Sequence, residues 1–146
     1  MSASNAFETN LLLLILNNTN IANIGDATGL RGSSAAGSVY VALHTADPGE
    51  AGAQNTSEAT YTGYARVAVA RSAAGWTEAS GAFSNFAAIT FGACSAGSNT
   101  ITHFSIGSSS SGAGDLLLSG ALSASLAVTT GITPVFNAGQ LTGTAD

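Results

Sequence analysis

The residues with the most chemical potential lie in the run HTAD, where His44 and Asp47 stand three positions apart at the end of an alternating apolar segment. An imidazole and a carboxylate this close would serve as an acid–base pair or as two ligands of a metal ion. A metal site usually takes three or four ligands, and only His103 and scattered carboxylates remain to complete one. The plainer reading is that both side chains hydrogen-bond a turn. A Ser–His–Asp triad can be drawn on paper, but no serine lies in the G-x-S-x-G elbow that exposes a nucleophile. GSSSSGAGD (107–115) is glycine-rich, yet it lacks the Lys-Ser/Thr and the following helix of a phosphate cradle. The eight acids show no pairing of the kind glycoside chemistry needs. Arg66, beside Tyr64 in GYAR, reads as a structural or interface arginine. The lone Cys94, in ITFGACSAG, reads as a buried, inert thiol. No catalytic, cofactor-binding or metal-binding set is therefore expected, and the chain is expected not to be an enzyme.

The elements that would carry these residues are mostly short strands. In VYVALH (39–44), Val39, Val41 and Leu43 alternate with Tyr40, Ala42 and His44, the pattern of a half-buried strand. ADPGEAG supplies a turn, with Pro48 fixing φ and Gly49 free to take positive φ. Residues 50–62 read as a polar loop and YARVAVAR (64–71) as the next strand. Trp76, Phe83 and Phe86 are expected core anchors beside AAITFGA (87–93). NTITHFSIG (99–107) alternates again and leads into the flexible, hairpin-like SSSSGAG. DLLLSGAL, SLAVTTG, ITPVFNAG and QLTGT complete about eight strand candidates separated by Gly, Asn or Ser. This spacing predicts a mainly β fold, an antiparallel, jelly-roll-like β-sandwich over 39–146, preceded by an N-terminal helix and linker arm over 1–38.

The helix is expected at about 5–17, with Asn5 and Glu8 as a capping box and Asn17, Asn18 and Asn20 as its stop. Its run TNLLLLILNN (9–18) contains six consecutive large aliphatics that cover the whole circumference at 100° per residue, where a surface helix needs one apolar stripe. A secretory signal would want basic residues ahead of it, and a spanning helix about 20 apolar residues. Neither export nor membrane anchoring is expected. Leu11, Leu12, Leu14 and Ile15 are instead candidates for an interface with another copy of the chain or with a neighbouring protein. Tyr40, Tyr61, Tyr64 and Trp76 are the aromatics that would stack on a sugar if the chain were a receptor-binding module.

Charged residues make up 8% of the 146-residue chain, and Arg31, Arg66 and Arg71 are its only basic side chains, for a net charge of −5. Phosphate neutralisation needs clustered Lys or Arg, so no nucleic-acid partner is expected, and an anionic membrane surface is disfavoured for the same reason. Low charge with high apolar content suits a subunit of an assembly better than a free monomer.

Four blocks carry a family resemblance: VYVALHTADPGEAG (39–52), GYARVAV (63–69), ITHFSIGSSSSGAGDLLLSGAL (101–122) and VTTGITPVFNAGQLTGT (128–144). In order and spacing they resemble a family of small tailed-bacteriophage virion proteins, tail-fibre-like or virion-associated. LHTADPG followed by GYAR is the most specific part, and the apolar helix lies outside the pattern. The resemblance implies a β-rich structural component of a phage particle without enzymatic role, and it carries over no catalytic residues. Within a virion, the compact chain and the absence of shaft repeats favour a decoration, or cement, protein on the capsid exterior. Its expected partners are the major capsid protein and copies of itself, as a homotrimer. The alternative is a tail or tail-fibre component that contacts tail proteins and binds the host surface or carbohydrate.

Overall fold

The computed structural model describes residues 4–22 and 32–144. Of the expected link at 22–38, residues 23–31, including Arg31, lie outside the described residues. The fold is mainly β, with antiparallel pairing and one short N-terminal helix, as the strand spacing predicts. Among the described residues, helix α1 (Asn5–Asn17) is followed by nine strands: β1 (Ser38–His44), β2 (Val67–Ala70), β3 (Trp76–Ala79), β4 (Ala82–Asn85), β5 (Ile89–Thr90), β6 (Asn99–Gly107), β7 (Leu116–Val128), β8 (Val135–Phe136) and β9 (Thr142–Thr144). They form open sheets of order β2-β1-β6-β7 and β3-β4-β9, together with the small pair β5-β8. Among the described residues there is no closed barrel.

The chain divides into two compact units. The helical unit comprises the described parts of Met1–Ser38, Ala70–Ile89 and Phe136–Asp146; the β unit comprises Val39–Val69 and Thr90–Val135.

In the helical unit, the N-cap of α1 is Ser4, not Asn5. Its backbone is extended (φ −87°, ψ 150°), and its carbonyl and hydroxyl accept from the first-turn amides. Asn18 closes the helix in the left-handed region (φ 55°) and returns its amide to the Leu13 carbonyl. Leu12 and Leu16, four residues apart, are both 1% exposed and lie on one face. The helix packs on β3 and β4. Trp76, Phe83 and Leu141 are buried in the same unit, with Trp76 and Phe83 in edge-to-face contact at 5.9 Å between centroids. Phe86 is not a core anchor: it is 59% exposed, because Phe83 and Asn85 take the buried side of β4 and residue 86 lies just past the strand's end. Asn85 is the polar pin of this unit. Its Nδ2 donates to the carbonyls of Ala87 (2.8 Å) and Asn137 (2.9 Å), and its Oδ1 accepts from the Leu141 amide (2.9 Å).

In the β unit, β1 departs from simple alternation. Val41, Ala42, Leu43 and His44 are all buried, so both faces of the strand are covered. β1 lies inside its sheet, antiparallel to β6 with Leu43 opposite Phe104 and His44 opposite His103. The second strand is shorter than expected, beginning at Val67, and Tyr64 and Arg66 precede it. β6 and β7 form the expected hairpin across 108–115. DLLLSGAL and SLAVTTG prove to be one continuous strand, β7, and two strands unseen in the sequence, β3 and β4, flank the Ser80–Gly81 turn.

Candidate functional site

The polar side chains of the β unit converge on Arg66. Its Nε and Nη2 donate to the two oxygens of Glu58 (2.7 and 2.8 Å), a bidentate fork. Nη1 donates to Gln54 Oε1 (3.0 Å) and the Ser109 carbonyl (2.8 Å), and Nη2 also reaches the Gly112 carbonyl (2.6 Å). All five guanidinium donors have an acceptor, and the side chain is 1% exposed. Bonding to Glu58 outweighs burial and holds the Arg66 pKa above its ordinary value.

Around this pair, Tyr64 donates its hydroxyl to Glu58 Oε1 (2.8 Å) and accepts from the Leu43 amide (3.1 Å). Burial drives the phenol pKa well up. Gln54 donates to the Tyr40 carbonyl (2.8 Å) and needs a cleared space. A Cβ on Gly107 would lie 2.2 Å from its amide carbon, and one on Gly114 would lie 2.9 Å from its oxygen. The SSSSGAG connection, read from sequence as flexible, is thus fastened at Ser109, Gly112 and Gly114, the last through its carbonyl to the Gln54 amide (2.9 Å).

His44 is fully buried. Its Nδ1 lies 2.8 Å from the Thr56 carbonyl, so that nitrogen carries the proton; Nε2 then accepts from Ser105 Oγ, also at 2.8 Å. The Ser–His bond has the spacing of a nucleophile and its base. Both residues are 0% exposed, and the other nitrogen faces a peptide carbonyl where a triad has a carboxylate. Burial is the main cause that lowers the His44 pKa. Asp47 accepts from the Gly49 amide (2.9 Å), the turn role expected for it, and Gly49 takes φ +69°. The two HTAD side chains therefore serve different backbone segments and do not form a pair. His103 bonds Thr102 (2.9 Å), and no group of three or more His, Cys, Asp or Glu suited to a metal occurs among the described residues. Cys94 is buried, its thiol facing the carbonyls of Ala96 and Gly97.

In the helical unit, Arg71 performs a related task. Its Nε and Nη2 donate to the Ile15 (2.6 Å) and Leu14 (2.7 Å) carbonyls, and Nη1 reaches Ala36 (3.2 Å). A cation from elsewhere in the chain thus satisfies the last-turn carbonyls of a helix with no basic residue in its own last turn. Of the interface candidates, Leu12 is spent on the chain's own core, whereas Leu11, Leu14 and Ile15 are half-buried. No described helix is long and apolar enough to cross a membrane.

The aromatics considered for sugar stacking are mostly withdrawn. Trp76 and Tyr61 are 1% and 3% exposed, and Tyr64 is held edge-on to Tyr61 and stacked on Phe91. Tyr40 is half-buried. Among the described residues, the large apolar side chains that reach solvent are Phe7, Phe86, Leu117, Leu126, Ile132 and Val135.

Gln54, Glu58 and Ser105 were not singled out by the sequence. Glu58 alone left a signal: an arginine destined for burial needs a counter-ion, and the loop just before GYAR carries few acids. From the most specific family blocks, LHTADPG and GYAR, the structure brings together Leu43, His44, Tyr64 and Arg66, which bond one another or Thr56 and Glu58 of the intervening loop.

A family model described as podophage GP4 fiber I protein gp80 matches residues 2–144, taking in both units and the N-terminal helix that the block pattern left outside. Among curated proteins, none matches the chain significantly.

Proposed function

The chain belongs to the podophage GP4 fiber I protein family, and from that premise we propose that it is a structural subunit of a tail fibre, working by contact and not by catalysis. The single observation that carries this reading is a family match over residues 2–144 that runs through both units. The committed polar groups support it. Arg66, Glu58, His44, Ser105 and Tyr64 are each engaged with backbone or with one another, so they act as internal braces. Between the two placements weighed from the sequence, the family description favours the tail fibre over the capsid exterior. Its partners would then be tail proteins and further copies of itself.

Gold-labelled antibodies against the purified chain, applied to intact particles and viewed by negative-stain electron microscopy, test the placement. Label confined to the tail is expected. Label spread over the capsid would restore the decoration role, and particles without label at either place, confirmed to lack the chain by immunoblot, would remove it from the virion.

A further inference from the structure

The sheet β3-β4-β9 of the helical unit buries one face and leaves the other open. Trp76, Phe83 and Asn85 turn inward. By the pleat, Thr77, Ala79, Ala82 and Ser84 therefore turn outward, joined in register by Thr142 and Thr144 of β9. Thr77, Ala79, Thr142 and Thr144 are exposed. These six residues line a shallow cleft of about 420 Å³, within the size range of small-molecule sites.

The strand register arranges the cleft in rows. Thr77, Ser84 and Thr142 stand directly opposite one another across the three strands, so three hydroxyl-bearing side chains repeat at the strand spacing of about 4.8 Å. That spacing is close to the separation of alternate hydroxyls around a pyranose ring. Among the described residues none of these three hydroxyls is engaged by another group, and each is able both to donate and to accept. Ala79, Ala82 and Thr144 form the row on one side. On the other side the ladder between β3 and β4 runs one step further, with the Phe86 amide donating to the Gly75 carbonyl (2.8 Å). The pleat sends Phe86 to the same outer face, where it is 59% exposed. A row of hydroxyls thus lies between alanine methyls and an aromatic ring.

This layout selects the ligand by charge and by shape. No charged side chain lines the cleft. Glu78, which lies between Thr77 and Ala79, turns to the inner side, and its carboxylate accepts from the Gly81 amide (2.9 Å). A phosphate or carboxylate would find no cation here. A protein partner would want large side chains to interlock with, and the cleft itself presents short ones. A neutral saccharide suits both parts, because its hydroxyls exchange bonds with the row while its C–H faces rest on the methyls and the ring. We propose that the outer face of β3-β4-β9 is a binding site for a neutral saccharide, with Thr77, Ser84 and Thr142 bonding its hydroxyls and Phe86 stacking on one ring face. The proposal goes beyond the structural role and is independent of where on the particle the chain sits.

Thr77 and Phe86 both face outward, so Thr77→Glu and Phe86→Ala leave the ladder intact; the first sets a charge in the hydroxyl row and the second removes the ring. The labelled full chain, applied to an array of neutral and uronate-bearing oligosaccharides, is expected to bind neutral members. Calorimetric titration with the strongest neutral hit is expected to give a dissociation constant at least about tenfold higher for each variant. Silence on every neutral glycan, a preference for the uronates, or an affinity that both variants leave unchanged would overturn the proposal. So would variants that lose self-association in ultracentrifugation while the wild type ignores every glycan, which would make this face a contact between subunits. Should the variants fail to fold, amide chemical shifts of the wild type titrated with the same glycan decide. Changes centred on Thr77, Ser84 and Thr142 support the site, and changes confined to other residues refute it. None of these failures bears on the tail-fibre placement, which the labelling of intact particles tests separately.

Discussion

At the residue scale, the chain uses its few charges as internal fasteners. Arg66 is the clearest case, because a guanidinium buried with five acceptors cannot be replaced by a smaller cation. Arg66→Met should cost about 3–5 kcal/mol in urea unfolding, since it leaves the Glu58 carboxylate without its partner. Arg66→Lys should recover only part of that loss, having three donors for five acceptors. A cost below about 1 kcal/mol for Arg66→Met would show that the pair is a surface ornament. His44 yields a pH prediction of definite sign. An unfolded imidazole takes up a proton as pH falls through about 6.5, whereas the folded one, its pKa lowered by burial, stays neutral. The unfolded state then binds more protons, so stability declines as pH drops below about 6.5 and levels off once the folded ring also protonates. Unfolding free energy measured from pH 8 to pH 5 should follow this slope, and His44→Gln should flatten it. The turn role of Asp47 was legible in HTAD from residue type and spacing. The burial of His44 was not, because it depends on Ser105, 61 positions away, and no local pattern reports such a partner.

At the element scale, α1 shows what periodicity can and cannot reveal. Its extent, Asn5–Asn17, matches the expected 5–17, because the asparagines that follow end it chemically. Its buried face could not be chosen from six consecutive aliphatics, since every direction around the helix is apolar. Packing on β3 and β4 makes the choice and selects Leu12 and Leu16. Leu12→Ala should therefore destabilise the helical unit by about 2–5 kcal/mol in thermal or urea unfolding. A change of a few tenths would mean the helix is not part of the core. Arg71→Ala should cost about 1–3 kcal/mol, from orphaned carbonyls at the helix end, and should reduce helical circular dichroism. β3 and β4 went unread because the segment around Trp76 and Phe83 is too short and too polar to alternate convincingly. β7 was divided in two because its serine-rich middle resembles a turn, and it is at that point that the ladder to β6 breaks.

At the scale of the whole molecule, each unit uses one arginine as an internal fastener: Arg66, buried, gathers loops of the β unit, and Arg71, half-buried, holds the end of α1 in the helical unit. This leaves a surface of hydroxyls and small side chains with scattered apolar residues, among them Phe86, Leu117 and Ile132, suited to contact with neighbouring subunits. The antiparallel, mainly β character was readable from spacing and turn chemistry. The association with phage particles was readable from the LHTADPG and GYAR blocks, which the Tyr64 hydroxyl joins by accepting from the Leu43 amide. Placement on the particle was not readable, because no residue pattern distinguishes a fibre subunit from a capsid decoration when both work by surface contact. The most direct test of the central claim is the copy number of this chain relative to the major capsid protein in purified particles, by quantitative mass spectrometry with labelled standard peptides. A tail-fibre subunit predicts a ratio far below one to one, equivalent to a small set of copies per particle. A ratio near one to one, or complete absence from the particle, would contradict it.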